Sequence, residues 1–236
     1  MDKRFQIVTD SSCDLPQELA DKLELLVLPL HFTIGGKTYA NYLDGREIGF
    51  HDFFERIRQG EAASTSAVNP ESFREVMEQT LQQGLDILFV GFSSGLSTTY
   101  QSGCIAADDL REKYPERKIL TVDSLCASLG QGLYVYLGAL QQQAEAASVR
   151  GEEEFAEALL RYHRGITFLS GNTITPLIFN AFRKVNLEFW RGYIRGAGTG
   201  RCLETLRRFT DYIERGEGRA AAELLREGLA QFRESI

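Results

Sequence analysis

No apolar run in this sequence approaches the roughly 20 residues that a helix needs to cross a bilayer, so a membrane span is excluded. The opening MDKRFQIVTD places a β-type apolar stretch almost at the first residue. That leaves no room for a secretory signal, and the expected location is the cytoplasm. Basic charge is also scarce, with 26 Lys and Arg against 33 Asp and Glu and a formal net charge of −7. A chain so balanced lacks the basic face that releases counterions from nucleic acid, so DNA and RNA are excluded as partners. Only four cysteines occur, Cys13, Cys104, Cys126 and Cys202. They lie far apart with no C-x-x-C pair, which excludes a zinc knuckle or disulfide framework and predicts free thiols. The three histidines, His31, His51 and His163, share no ligand spacing, and no metal is expected. No G-x-x-x-x-G-K-[ST] loop is present, so a phosphate cradle of that type is excluded and no cofactor is expected.

What is there reads as an ordinary globular composition, with 43% hydrophobic residues and enough length for a sizeable core. FQIVTD, DILFVGF and ILTVDS are short apolar runs, each followed by a polar loop and then a helical pattern. Buried strands alternating with helices predict a parallel sheet with helices on both faces. Gly35-Gly36 predicts a hairpin between HFTI and KTYAN. GFHDFFERIRQG, PESFREVMEQTLQQG and the segment from Cys104 read as helices. Residues 1–160 are therefore expected to form one α/β domain. Residues 161–236 are expected to form a shortened second lobe, either incomplete α/β or mainly helical. Within it GITFLSGNTITPLIFNAF reads as able to contain strand, Gly-rich GYIRGAGTGRC reads as a loop, and LETLRRFTDYIERGEGRAAAELLREGLAQFRESI reads as two helical pieces.

Three polar segments stand where strand patterns give way to helix patterns: Thr9-Asp10-Ser11-Ser12, Ser64-Thr65-Ser66, and Ser93-Ser94-Gly95-Leu96-Ser97-Thr98-Thr99. In an open α/β sheet the carboxyl ends of the strands converge on one crevice, so these loops are expected to outline an anion site. Helix N-termini carry unpaired N–H groups with partial positive charge, and Ser and Thr hydroxyls rotate to donate to a carboxylate. Helix capping is the competing role for each loop taken singly. Asp10 and Asp123 close two strands and are expected to orient neighbouring loops. Cys126 is expected to be a small buried residue. Gly91-Phe92-Ser93-Ser94-Gly95 also matches the G-x-S-x-G nucleophile elbow, which leaves a serine hydrolase open. His163, its one downstream base, reads as a solvent-exposed helical histidine.

Taken in order, IVTDSSCDLP, VLPLHFTIGGKTY, STSAVNPESF, GFSSGLSTTYQSG and VDSLCASLGQG resemble the DegV family of bacterial fatty-acid-binding proteins. The resemblance covers residues 4–140. It implies a two-lobed α/β protein that is not itself an enzyme and holds one long-chain fatty acid, similar to the binding subunit of bacterial fatty-acid kinase, which presents the carboxylate to an ATP-using catalytic subunit. Carried over by motif, Thr65, Ser66, Ser93, Ser94 and Ser97 contact the carboxylate, and Asp10, Ser11 and Asp123 support them. The tail is expected near Leu28, Phe32, Phe53 and Phe54, which serve equally well as core. Two departures stand out. Thr65-Ser66-Ala67-Val68 replaces the family's T-S-Q-P, and the R-G-G-R segment and H-T-G-P-G-like histidine of the family's second lobe are missing. A shortened, degenerate member without retained ligand, structural or regulatory, is the alternative reading.

Overall fold

The computed structural model describes residues 5–169, 172–215 and 217–234. The chain divides into two compact units, Met1–Gly138 and Ala139–Ile236. In the first, β1 (Phe5–Asp10), β2 (Leu26–Leu28), β6 (Asp86–Gly91) and β7 (Ile119–Asp123) form a parallel sheet in the order β2-β1-β6-β7. A smaller antiparallel sheet, in the order β4-β3-β5, joins β3 (Leu30–Ile34), β4 (Lys37–Asn41) and β5 (Ala63–Ser66). The β3–β4 turn is Gly35-Gly36, with φ of 56° and 74°. Both angles lie in the left-handed region that a two-residue hairpin turn requires and glycine adopts freely.

Alternation along the parallel strands separates two buried faces. Val8, Ile87 and Phe89 pack under α3 (Pro70–Gln82) and α4 (Thr99–Lys113), which contribute Phe73, Met77, Leu81, Ala106, Ala107 and Leu110. Ile7 and Leu88 point the other way, towards Gly138 of α5 (Leu129–Ala147). The sheet thus carries helices on both faces, as its continuous apolar strands require. Two shorter helices, α1 (Gln17–Lys22) and α2 (Phe50–Arg58), complete the unit. α2 places Phe53 edge-on to Phe32, with ring centroids 4.8 Å apart.

In the second unit every element among the described residues is a helix. These are the last turns of α5, then α6 (Glu152–Leu169), α7 (Ile174–Ala181), α8 (Arg183–Ala197), α9 (Thr199–Glu214) and α10 (Gly218–Glu234). The mainly helical alternative holds, and two local expectations are corrected. The segment read as able to contain strand is the end of α6 and all of α7, with Ser170 and Gly171 outside the described residues. Its β-branched residues favour strand, but Asn172 Oδ1 accepts from the N–H groups of Ile174 and Thr175 at 2.9 and 3.3 Å and starts a helix. Pro176 falls in the first turn, where its missing N–H costs nothing. The Gly-rich segment read as a loop is helix on both sides of one break, Gly198 at φ 82°. Its other glycines are tolerated inside helices because α8 and α9 bury Leu187, Tyr193, Ile194, Leu206 and Phe209. Among the described residues no helix is long and apolar enough to cross a membrane.

Candidate functional site

The carboxyl ends of β1, β6 and β7 lie side by side, with Gly91 paired to Asp123. Asp10 is fully buried there. Its Oδ1 accepts from Ser12 N–H at 3.0 Å, and its Oδ2 accepts from Phe92 N–H at 3.3 Å and from Gln131 Nε2 at 3.0 Å. One side chain therefore ties together the loops after β1 and β6 and the first turn of α5. Gln131, fully buried, also donates to Thr9 Oγ1 at 2.9 Å, and Thr9 donates in turn to the Val90 carbonyl. The carbonyl oxygen of the Gln131 side chain has no hydrogen-bond partner among the described residues. Sequence reasoning missed Gln131, because a lone glutamine between glycines has no ligand spacing; the available signal was a large amide in a run of small residues.

Asp123 does the same work on the opposite side. Its Oδ1 accepts from the N–H groups of Ser94 and Leu125 at 3.2 and 3.1 Å. Burial pushes its pKa up, but hydrogen bonds from the Ser94 hydroxyl and from the Leu125 and Ser94 N–H groups outweigh burial and hold it below the usual carboxylate range. Ser94 is exposed, whereas Ser93 is buried, its N–H donating to the Cys126 carbonyl and its Oγ accepting from Gly95 N–H. Ser97 shares a hydrogen bond with Thr99 Oγ1 at 3.0 Å and accepts Thr99 N–H at 3.2 Å, a local serine turn that leads into α4. Cys126 is half-buried rather than buried, and its carbonyl accepts from the Ser93 N–H at 3.1 Å.

Thr65 and Ser66 stand on a strand and not at a turn. β5 pairs Thr65 with Phe32 and Ser66 with His31, which puts the two hydroxyls on opposite faces. Thr65, exposed, shares its face with Phe32 and Tyr39 and lines a hollow of about 380 Å³ with Phe32, Phe53, Phe54 and Asn41. Ser66, Ser93, Ser94 and Ser97 do not line it. The Thr65 hydroxyl makes no hydrogen bond among the described residues, which leaves it free to donate. Ser11 connects this hollow to the parallel sheet, its Oγ accepting from Leu30 N–H at 3.0 Å and from Asn41 Nδ2 at 3.3 Å. Of the expected tail contacts, Phe32, Phe53 and Phe54 line the hollow, while Leu28 belongs to the core under α3.

The nucleophile-elbow pattern lacks its geometry. α4 starts only at Thr99, and Ser93 is not among the non-glycine residues with left-handed backbone, which among the described residues are Asp14, Glu24, Leu125 and Ser128. His163 is half-buried among aromatic rings rather than fully solvent-exposed. It lies 4.3 Å from the Trp190 ring and 6.0 Å from Phe209, and its Nδ1–H donates to the Leu159 carbonyl at 2.8 Å. Burial lowers its pKa to about 4, against the helping bond to Leu159. Among the described residues no group of three or more His, Cys, Asp or Glu could hold a metal ion.

Residues 4–160 match the family model described as an uncharacterised protein, DegV family. A DegV domain-containing protein of Clostridium perfringens is 41% identical over 147 residues, which cover 62% of this chain and 50% of the relative. Among solved structures, a Thermus thermophilus DegV family protein described by its fatty-acid binding is 32% identical at a TM-score of 0.51, covering 69% of this chain and 53% of that one. A stearic-acid-binding protein from Eubacterium ventriosum is 25% identical at a TM-score of 0.52, covering 57% and 46%. The chain spans about half the length of these relatives. With this parallel sheet, its hydroxyl-bearing edge and the match over residues 4–160, this chain belongs to the DegV family.

Proposed function

We propose that this chain binds one long-chain fatty acid. Its carboxylate takes a hydrogen bond from Thr65 and, once the Ser94 hydroxyl turns away from Asp123, a second from Ser94, and its tail enters the hollow walled by Phe32, Phe53 and Phe54. The observation that carries this reading is the free Thr65 hydroxyl at the mouth of that aromatic hollow. At roughly 30 Å³ for a group the size of a water molecule, about 380 Å³ holds on the order of a dozen such groups, a large part of an acyl chain. Each buried CH₂ gains about 0.8 kcal/mol, so the tail supplies affinity and the hydroxyls supply orientation. Asp10, Ser11 and Asp123 keep the loops in place, and Ser93 and Ser97 shape the turn that presents Ser94. The fatty-acid binding of the Thermus thermophilus and Eubacterium ventriosum proteins supports the same reading.

We further propose that the carboxylate is presented to a separate ATP-using kinase subunit. Leu96 and Leu125 stand 68% and 75% exposed on the loops after β6 and β7, and Leu129 is 56% exposed at the start of α5, an apolar fringe suited to a protein partner. Extraction of purified protein followed by lipid analysis should recover one fatty acid per chain. Thr65→Ala should weaken oleate binding about tenfold, the worth of one hydrogen bond to a charged group, with unchanged circular dichroism because Thr65 is exposed. Protein that is empty and gains no thermal stability with palmitate or oleate would overturn the reading.

A further inference from the structure

The helical unit contains a hollow of about 350 Å³ whose walls are largely aromatic, with Phe189, Trp190 and Tyr193 of α8, Phe209 of α9 and Phe179 of α7. Sharing Tyr193, Thr205 and Leu224 with it is a second hollow of about 280 Å³ with polar walls, where two arginines, Arg201 and Arg208, accompany two glutamates, Glu204 and Glu227. An apolar hollow that shares walls with a charge-balanced polar one fits a molecule with two unlike ends. The family model stops at residue 160, so α7 to α10, which build most of both hollows, lie beyond the matched region.

We propose that the helical unit binds a second small molecule: an uncharged, flat aromatic body seated against Trp190 and Phe189, with a neutral hydrogen-bonding end towards the polar hollow. Size, wall chemistry and charge each narrow the choice. Cavities of 300 to 1,000 Å³ suit small organic ligands, whereas a cavity near 150 Å³ takes only a benzene-sized guest. Aromatic walls favour offset stacking over packing against a flexible alkyl chain. A carboxylate or phosphate would meet Glu204 and Glu227 as well as the arginines, so a formal charge gains little there. His163 lines the apolar hollow, and with its Nδ1–H committed to Leu159 its Nε2 is an acceptor, suited to an N–H or O–H on the ligand. The inference stands apart from the fatty-acid reading, which concerns the other unit.

Trp190 is the single tryptophan of the chain, so its emission reports this hollow alone. Titration of the full chain with N-phenyl-1-naphthylamine, a neutral aromatic amine, should quench Trp190 saturably at one equivalent, with energy transfer to the probe. Leu206→Phe, which fills the hollow, should weaken binding at least tenfold at unchanged helical circular dichroism. If that variant unfolds, Cys202→Leu takes its place. The sulfonated relative 1-anilinonaphthalene-8-sulfonate should bind at least tenfold more weakly than the neutral probe. The proposal is overturned by the absence of a saturable Trp190 response up to the probe's solubility limit. It is equally overturned by unchanged affinity in the filled variant, or by tighter binding of the sulfonate.

Discussion

His163 shows how a residue's neighbours replace its expected role. Read from ALLRYH, it is an exposed helical histidine or the distant base of a triad. In the molecule Tyr162, Trp190 and Phe209 surround it, and burial holds its pKa at about 4 against an ordinary 6.5. The unfolded chain therefore takes up a proton as pH falls from 6.5, while the native helices do so only near pH 4. Stability of the helical unit should fall across that window by up to about 3 kcal/mol and be indifferent to this group above it. His163→Phe should flatten the slope between pH 6.5 and 4 in denaturant titrations followed by Trp190; an unchanged slope would show that the imidazole is charged in the native state. Single residues were otherwise legible where chemistry is local. Asp10 and Asp123 were found because carboxylates that close strands have loop N–H groups within reach. Gln131 was not, since its partners Thr9 and Asp10 lie 122 and 121 positions away in sequence.

Elements were legible where burial imposes a period. β1, β6 and β7 are apolar on both faces and stand out as strands, and Gly35-Gly36 marks its hairpin. β5 escaped notice because all four residues of Ala63–Ser66 are exposed on an edge strand and carry no apolar alternation. The same packing sets the contact between β6 and α4. A Cβ at Gly103 would lie 2.2 Å from Phe89 Cε1, and Phe89 is itself wedged between Phe73 and Tyr100, with ring centroids 4.9 and 5.9 Å away. Gly→Ala in a helix ordinarily gains about 1 kcal/mol in propensity. Overpacking against a ring that cannot move costs about 1 to 3 kcal/mol, so the clash should win. Gly103→Ala should lower the urea midpoint of unfolding, and Phe89→Leu added to it should recover part of the loss. A Gly103→Ala chain more stable than wild type would mean that Phe89 has room to turn.

At the scale of the whole molecule, the first unit follows the family fold, and every element of the second among the described residues is a helix. The first was readable because alternating strands and helices leave few ways to arrange a parallel sheet. The second was harder, because Asn172 and Pro176 set a helix start inside a β-branched stretch and Gly198 alone breaks a run that its glycines made look irregular. The pairing pattern also carries a kinetic consequence. β1 can pair early with nearby β2, but its other edge closes only after β6 arrives, with Phe5 opposite Asp86, whereas α6 through α10 each contact helices close by in sequence. Closing long loops before any contact rewards them slows collapse onto a native topology. On dilution from denaturant, the tryptophan signal should therefore recover in an early phase, and the tyrosine and phenylalanine environments around the parallel ladder should follow later. The time between those phases is when the unpaired edges of β1 and β6 are open to other chains, and refolding yield should fall as protein concentration rises.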